Sequence, residues 1–136
     1  MNQITTQYVT EGGACYEQYV ITDPAAKTAL TITPERGGMI TGFTLDGDEY
    51  IWTRRPNFSE CNRPRFGVPV LFPSCGNPDG GVHLFDGKAY PMECHGFADL
   101  CAWEVESVGP DGVTLILEST PLTKFLYPFD FTLLVN

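Results

Sequence analysis

The stretch that decides the fold is residues 65–77, which read Arg65-Phe66-Gly67-Val68-Pro69-Val70-Leu71-Phe72-Pro73-Ser74-Cys75-Gly76-Asn77. It is an apolar run that contains Pro69 and Pro73, and each proline removes a backbone donor that a helix needs. A short buried run of this kind predicts a strand or an extended crossing rather than a helix. The glycine-rich segment 76–81 that follows it predicts a turn.

A hairpin that leads to a histidine is predicted next. Asp86-Gly87 is a hairpin-turn signal between two strand-like segments, 82–85 and 88–92. His95 follows, and Gly96 after it allows a close approach of the backbone to a neighbour. We therefore expect the hairpin to deliver His95 to the end of a strand.

The remaining chain alternates strand patterns with turns. Period-two alternation and β-branched residues predict strands at 15–22, 27–33, 39–45, 49–53, 101–108, 113–118 and 129–135. No window has a convincing period of 3.6, so we predict one all-β, antiparallel domain over residues 1–136, a sandwich or a barrel. Residues 54–64 lack any periodicity and predict a loop, and long irregular loops are often functional.

Composition and charge narrow the function classes. The hydrophobic fraction of 43% indicates a globular protein, and the net charge of -9 argues against nucleic acid or an anionic membrane as a partner. The sequence has no apolar run of membrane-spanning length and no leader pattern, which predicts a cytoplasmic protein. Its five irregularly spaced cysteines favour reduced thiols over a disulfide framework.

Five motifs follow one another along the chain: Pro34-Glu35-Arg36-Gly37-Gly38, the 65–77 block, Asp86-Gly87-Lys88-Ala89-Tyr90, His95-Gly96-Phe97 with Trp103 after it, and Tyr127-Pro128-Phe129-Asp130-Phe131. Their order and spacing resemble the aldose 1-epimerase (galactose mutarotase-like) family, and most closely its hexose-6-phosphate mutarotase-type branch. The resemblance implies an antiparallel β-sandwich of the galactose mutarotase-like (supersandwich) type. It also implies that the chain corresponds to only the first half of such a protein.

The resemblance implies an isomerase that interconverts the α and β anomers of a monosaccharide, or of its 6-phosphate, without a cofactor or metal. His95 matches the family's first histidine and is the candidate catalytic residue, since histidine suits proton transfer near neutral pH. Arg65, Asn77 and Phe97 are the candidate substrate-binding residues. The alternative for His95 is a structural role at a strand end, and the alternative for Arg65 is a structural ion pair.

Two positions depart from the family pattern. Asn77 stands where many relatives have arginine, so a charge is lost there. Asp99 stands where relatives often read His-Gly-Phe-Ala-Arg, and its carboxylate would repel a sugar phosphate. This departure favours an uncharged sugar or another anchoring residue.

Four of the eight basic residues fall within twelve positions, and they are Arg54, Arg55, Arg63 and Arg65. Guanidinium groups suit phosphate and other anions, so one interpretation of this cluster is an anion contact. The other is a solvated loop in which Glu60 and Asp48 are the partners.

The chain has only two histidines, and the second, His83, matches nothing in the family pattern. The resemblance places the family's glutamate base and second histidine in the half that the chain lacks. We therefore expect either a truncated protein or a site completed by a second chain, in a homo-oligomer or with the missing half. Cys94, His95 and Cys101 fit no standard zinc spacing. The rival hypotheses are a non-catalytic carbohydrate-binding β-sandwich and a purely structural β-domain.

Overall fold

Ten strands form three antiparallel sheets in the computed structural model, which describes residues 1–53, 63 and 65–136. The first sheet has five strands in chain order: β1 (Gln3–Glu11), β2 (Ala14–Asp23), β3 (Thr28–Thr33), β4 (Met39–Leu45) and β5 (Asp48–Glu49). A separate hairpin consists of β6 (Val82–Phe85) and β7 (Lys88–Pro91). The third sheet has the order β10-β9-β8, from β8 (Glu104–Gly109), β9 (Gly112–Glu118) and β10 (Thr132–Val135).

The hydrophobic core lies between the five-stranded and three-stranded sheets. Val113, Leu115 and Leu117 alternate along β9 and are buried. They form one cluster with Ile32 of β3 and with Trp103, which is 2% exposed. The alternation buries one face of β9, as a sandwich requires. The all-β, antiparallel architecture predicted from the sequence is confirmed.

Residues 65–77 form the extended crossing that their prolines predict. At one end Val68 N donates to the carbonyl of Ile40 on β4, at 2.9 Å. At the other end Phe97 N donates to the carbonyl of Phe72, at 2.8 Å. Gly96 has a φ of 75°, and a Cβ there would collide with the Phe72 carbonyl oxygen. The crossing thus ties the large sheet to the segment that carries His95.

Several strands differ from those predicted; β10, for example, begins at Thr132 instead of at residue 129. β1 was not predicted, because Ile4 and Val9 are its only aliphatic residues and most of its side chains are exposed. The segment 49–53 leaves the sheet early, since the Glu49 carboxylate accepts from the backbone N–H groups of Phe43 and Ile51, each at 2.8 Å. Residues 101–103 bond to loops instead of to a strand, and Trp103 N donates to the Pro34 carbonyl at 3.1 Å.

Three further expectations concern the cysteines, membrane-spanning segments and the loop 54–64. The described cysteines Cys15, Cys75, Cys94 and Cys101 are free thiols. No helix within the described ranges is long and apolar enough to cross a membrane. The predicted loop 54–64 lies outside the described residues except for Arg63.

Candidate functional site

A cleft of about 610 Å³ lies beside the crossing. The segment after β5, the start of the 65–77 block and the turn around His95 line it together. Ligand clefts are typically about 300–1,000 Å³, so a monosaccharide fits this volume. His95 and Arg65 both line the cleft, which brings together two of the four site residues predicted from the sequence.

His95 is held by two hydrogen bonds to one residue. Its backbone N donates to the Gly76 carbonyl at 2.9 Å, and its Nδ1 accepts from Gly76 N, also at 2.9 Å. A neutral imidazole whose Nδ1 accepts a hydrogen bond carries its proton on Nε2. His95 therefore offers a ligand an Nε2–H donor. The expected position at a strand end is wrong, because β7 ends at Pro91 and His95 lies in a later turn with a φ of 70°.

Asp99 forms a buried ion pair with Arg63. The Arg63 Nη1 lies 3.0 and 2.8 Å from the two Asp99 carboxylate oxygens, and Asp99 is 1% exposed. Burial raises the pKa of Asp99, and the adjacent Arg63 charge opposes this shift. The expected repulsion of a sugar phosphate by Asp99 does not follow from this geometry, because the guanidinium balances the carboxylate. Arg63 is also no solvated loop residue, since its side chain is 19% exposed.

Arg65 differs from Arg63 although both line the cleft. Its side chain is exposed, and it forms no hydrogen bond or ion pair with any other described residue. Its five N–H donors are therefore available to hydroxyl or phosphate oxygens. Arg54 and Arg55, the other two members of the cluster, lie outside the described residues.

Two aromatic residues in the cleft were missed by the sequence interpretation. Tyr50 is 60% exposed and Trp52 is 64% exposed, and both line the cleft. Their backbones are fixed: Tyr50 N donates to the Phe43 carbonyl at 2.8 Å, and the Trp52 carbonyl accepts from Gly67 N at 3.0 Å. The Tyr50-Ile51-Trp52 motif just before the irregular loop 54–64 was the signal that could have identified them.

The remaining predicted residues lie elsewhere. Asn77 is exposed next to Gly76 and does not line the cleft. Phe97 is 4% exposed, and its ring centroid lies 6.0 Å from that of Phe72; this burial favours packing over sugar contact. The substrate-binding roles of Asn77 and Phe97 stay predictions. His83 lies on β6 with its ring 5.8 Å from that of Phe85, away from the cleft.

The donor set of the cleft suits a polar organic ligand. Asp99 is the one carboxylate among its described lining residues, and it is paired. Within residues 1–53, 63 and 65–136, no three His, Cys, Asp or Glu side chains are grouped so as to hold a metal ion. An imidazole N–H, a guanidinium and exposed rings are groups that bind hydroxyls and the C–H face of a sugar.

Solved structures with the same fold were found by comparison. The Slr1438 protein from Synechocystis sp. PCC 6803 is 28% identical with a TM-score of 0.81, over 98% of this chain and 46% of that one. A galactose mutarotase related enzyme from Lactobacillus acidophilus is 22% identical with a TM-score of 0.65, over 96% of this chain and 37% of that one. Galactose 1-epimerase from Lactobacillus acidophilus NCFM is 15% identical with a TM-score of 0.70, over 97% of this chain and 43% of that one.

No protein-family model and no curated protein sequence matches the chain. The chain spans less than half of the length of each of these solved proteins. The resemblance seen in the motifs thus holds at the level of the fold. This chain has the galactose mutarotase-like fold, over a part of such a protein.

Proposed function

We propose that the His95 cleft binds an aldose, or its 6-phosphate, and takes part in the interconversion of its α and β anomers. The observation that carries this proposal is the Nε2–H donor of His95, which Gly76 fixes in the same cleft as Arg65, on a mutarotase-like fold. Arg65 forms no hydrogen bond or ion pair with the other described residues. The likeness to galactose 1-epimerase and a galactose mutarotase related enzyme supports the substrate class.

Anomer exchange requires two proton transfers. The ring oxygen gains a proton while the anomeric hydroxyl loses one; the ring opens, and it closes on the other face of the aldehyde carbon. In the proposed role, the Nε2–H of His95 donates to a sugar oxygen. Arg65 binds hydroxyls or a phosphate, and the rings of Tyr50 and Trp52 pack against the apolar face of the sugar.

The proton acceptor is not supplied by the described part of the cleft. Asp99 is buried and paired with Arg63, so its carboxylate is committed. His95 already accepts a hydrogen bond at Nδ1, and one imidazole does not serve both sides of the ring. We therefore propose that the chain binds sugar through this cleft and that a base from another source completes the catalytic site.

The first prediction concerns sugar binding and exchange by the chain itself. Titration with glucose, galactose and their 6-phosphates is expected to shift NMR signals of cleft residues. Polarimetry of freshly dissolved α-anomers is expected to show little acceleration. A protein in which this chain is joined to a base-bearing partner half should accelerate the exchange by about 10²-fold or more.

Three outcomes bear on the proposal and on its rival. A non-catalytic carbohydrate-binding domain is favoured by the committed state of Asp99, and it would bind sugar without exchange in every form of the protein. No binding of any sugar in the panel would remove both functions. Full exchange by the chain alone would show that a carboxylate such as Glu93 acts as the base.

A further inference from the structure

We propose that Arg63 is a positioning residue for His95, and that the two arginines of the cleft, Arg63 and Arg65, have different roles. Arg63 holds the turn that presents the imidazole, whereas Arg65 is left for the ligand. The proposal deepens the proposed function and rests on it for its catalytic meaning. Its structural part concerns only contacts within the described residues.

The guanidinium of Arg63 bridges both sides of the His95 turn. Its Nη2 donates to the Gly96 carbonyl at 2.8 Å and lies 3.5 Å from the Glu93 carboxylate. Gly96 N donates to the Glu93 carbonyl at 3.1 Å, which closes the turn around His95. Arg63 thus contacts the residue directly after His95 and, more weakly, the residue two positions before it.

The turn needs external support because His95 has a φ of 70°. This left-handed conformation is unfavourable for a residue with a side chain. The crossing supports the turn from one side, through the paired hydrogen bonds between His95 and Gly76. Arg63 supports it from the cleft side, so the strained residue is held between two contacts.

Asp99 anchors the guanidinium in place. Both of its carboxylate oxygens accept from Nη1 of Arg63, while Nη2 donates to the Gly96 carbonyl; contacts at two different nitrogens fix the orientation of the planar group. Asp99 is itself fixed, because the backbone of Gly37 packs so closely on it that a Cβ at Gly37 would lie 2.9 Å from the Asp99 carbonyl carbon. A buried carboxylate without its cation would be costly, so Asp99 and Arg63 depend on each other.

The contrast with Arg65 supports a division of roles. The two arginines are two positions apart and line one cleft. The side chain of Arg63 is 19% exposed, and its guanidinium donates hydrogen bonds to Asp99, Gly96 and Glu93. Arg65 is exposed and forms no contact of this kind with the other described residues.

The second prediction tests the positioning role by NMR of the two imidazoles. Long-range ¹H–¹⁵N spectra report the tautomer of each histidine, and His95→Ala assigns the signals. In the unmodified chain we expect His95 as a single Nε2–H tautomer. In Arg63→Gln the His95 nitrogens should move toward the averaged shifts of a free imidazole, while His83 stays unchanged. Arg65→Gln is the matched control and should leave the His95 tautomer unchanged while weakening sugar binding.

Arg63→Lys is a second variant for the case in which Arg63→Gln fails to fold, because lysine keeps a positive charge beside Asp99. It should give a partial change at His95, since an ammonium does not reproduce the bridge between Asp99 and Gly96. Where exchange is catalysed, Arg63→Gln should lower kcat by about 10–10²-fold with a smaller change in KM, as expected for a misplaced catalytic group.

The outcomes separate this proposal from the proposed function. Unchanged His95 signals in both Arg63 variants would overturn the positioning role, whether or not the protein acts on sugars. If sugars fail to bind but the Arg63 variants still alter His95, the proposed function fails and the positioning contact stands. A shift of His83 equal to that of His95 in Arg63→Lys would show a general structural role and would also overturn the proposal.

Discussion

At the residue scale, one backbone group decides what His95 can do. The N–H of Gly76 occupies Nδ1 of the imidazole, so the remaining nitrogen is a donor in the neutral ring. The sequence motifs predicted His95 and Arg65 as site residues, and both line one cleft in the structure. The sequence motifs did not point to Arg63, because the contact between Arg63 and Asp99 joins positions 36 residues apart. Neither local patterning nor charge shows which arginine of a cluster turns inward.

The third prediction concerns the two histidines. His95→Ala should lower anomer exchange by about 10²–10⁴-fold in a form of the protein that catalyses it. It should cost about 1 kcal/mol of unfolding free energy, because Gly76 N loses its side-chain acceptor. His83→Ala is the control, since His83 lies on β6 outside the cleft. Exchange kinetics and thermal denaturation are measured for both variants. Equal effects of the two substitutions on exchange would contradict the catalytic assignment of His95.

At the element scale, the family-like motifs serve mainly to fasten segments together. Gly38 has a φ of 62°, and a Cβ there would lie 3.0 Å from the Trp103 ring, so the early glycine pair packs on the segment after His95. The ring of Phe72 in the crossing lies 5.3 Å from Tyr127 and 5.1 Å from Phe131. Motifs that are distant in sequence therefore meet at the crossing.

Strand prediction succeeded where side chains alternate and failed where polar groups act locally. Met39–Leu45 and Val82–Phe85 have the predicted bounds because turns flank them on both sides. Gln3–Glu11 was missed since both of its faces are largely polar and exposed. The segment 49–53 was predicted too long, because the carboxylate of Glu49 takes backbone N–H groups that would otherwise extend the strand pairing. Side-chain bonds of this kind leave no periodic signal in a sequence.

The fourth prediction concerns how the β6–β7 hairpin is attached. The Phe85 ring lies 5.3 Å from Tyr127 and 5.5 Å from Phe129, both edge-on. Phe85→Ala should cost about 1–3 kcal/mol, less than a fully buried ring because Phe85 is half-buried. Leu84→Ala is the neighbouring control: Leu84 is 70% exposed, so less than about 0.5 kcal/mol is expected. Chemical denaturation measures both, and equal costs would show that the aromatic stack does not fasten the hairpin.

At the scale of the whole molecule, open sheet edges and net charge act against each other. Among the described strands, β10 and β8 are the edges of the three-stranded sheet, and β1 and β5 are those of the five-stranded sheet. Unpaired edges offer backbone donors and acceptors to other chains. Leu134 on β10 is 61% exposed, which adds an apolar contact at such an edge. The net charge of -9 opposes association through repulsion between copies.

The fifth prediction is that the chain self-associates through the β10 edge, and more strongly at high salt. Salt shortens the range of charge repulsion from about 30 Å at 0.01 M to about 3 Å at 1 M, whereas backbone pairing and apolar contact persist. Sedimentation velocity is measured at several protein concentrations in low and high salt. The fraction of monomer should fall, and larger species should appear, as the protein concentration or the salt concentration rises. Leu134→Lys should reduce the association, because it places a charge on the edge strand.

Leu122→Lys is the control for this test, since Leu122 is 78% exposed but lies outside the strands. If both lysine variants reduce association equally, general surface hydrophobicity and not strand pairing holds the copies together. If the unmodified chain stays a monomer at every concentration and salt level, the β10 edge is not an association surface. The side chains of Thr132 and Leu134 on the edge strand would then have to block pairing by themselves.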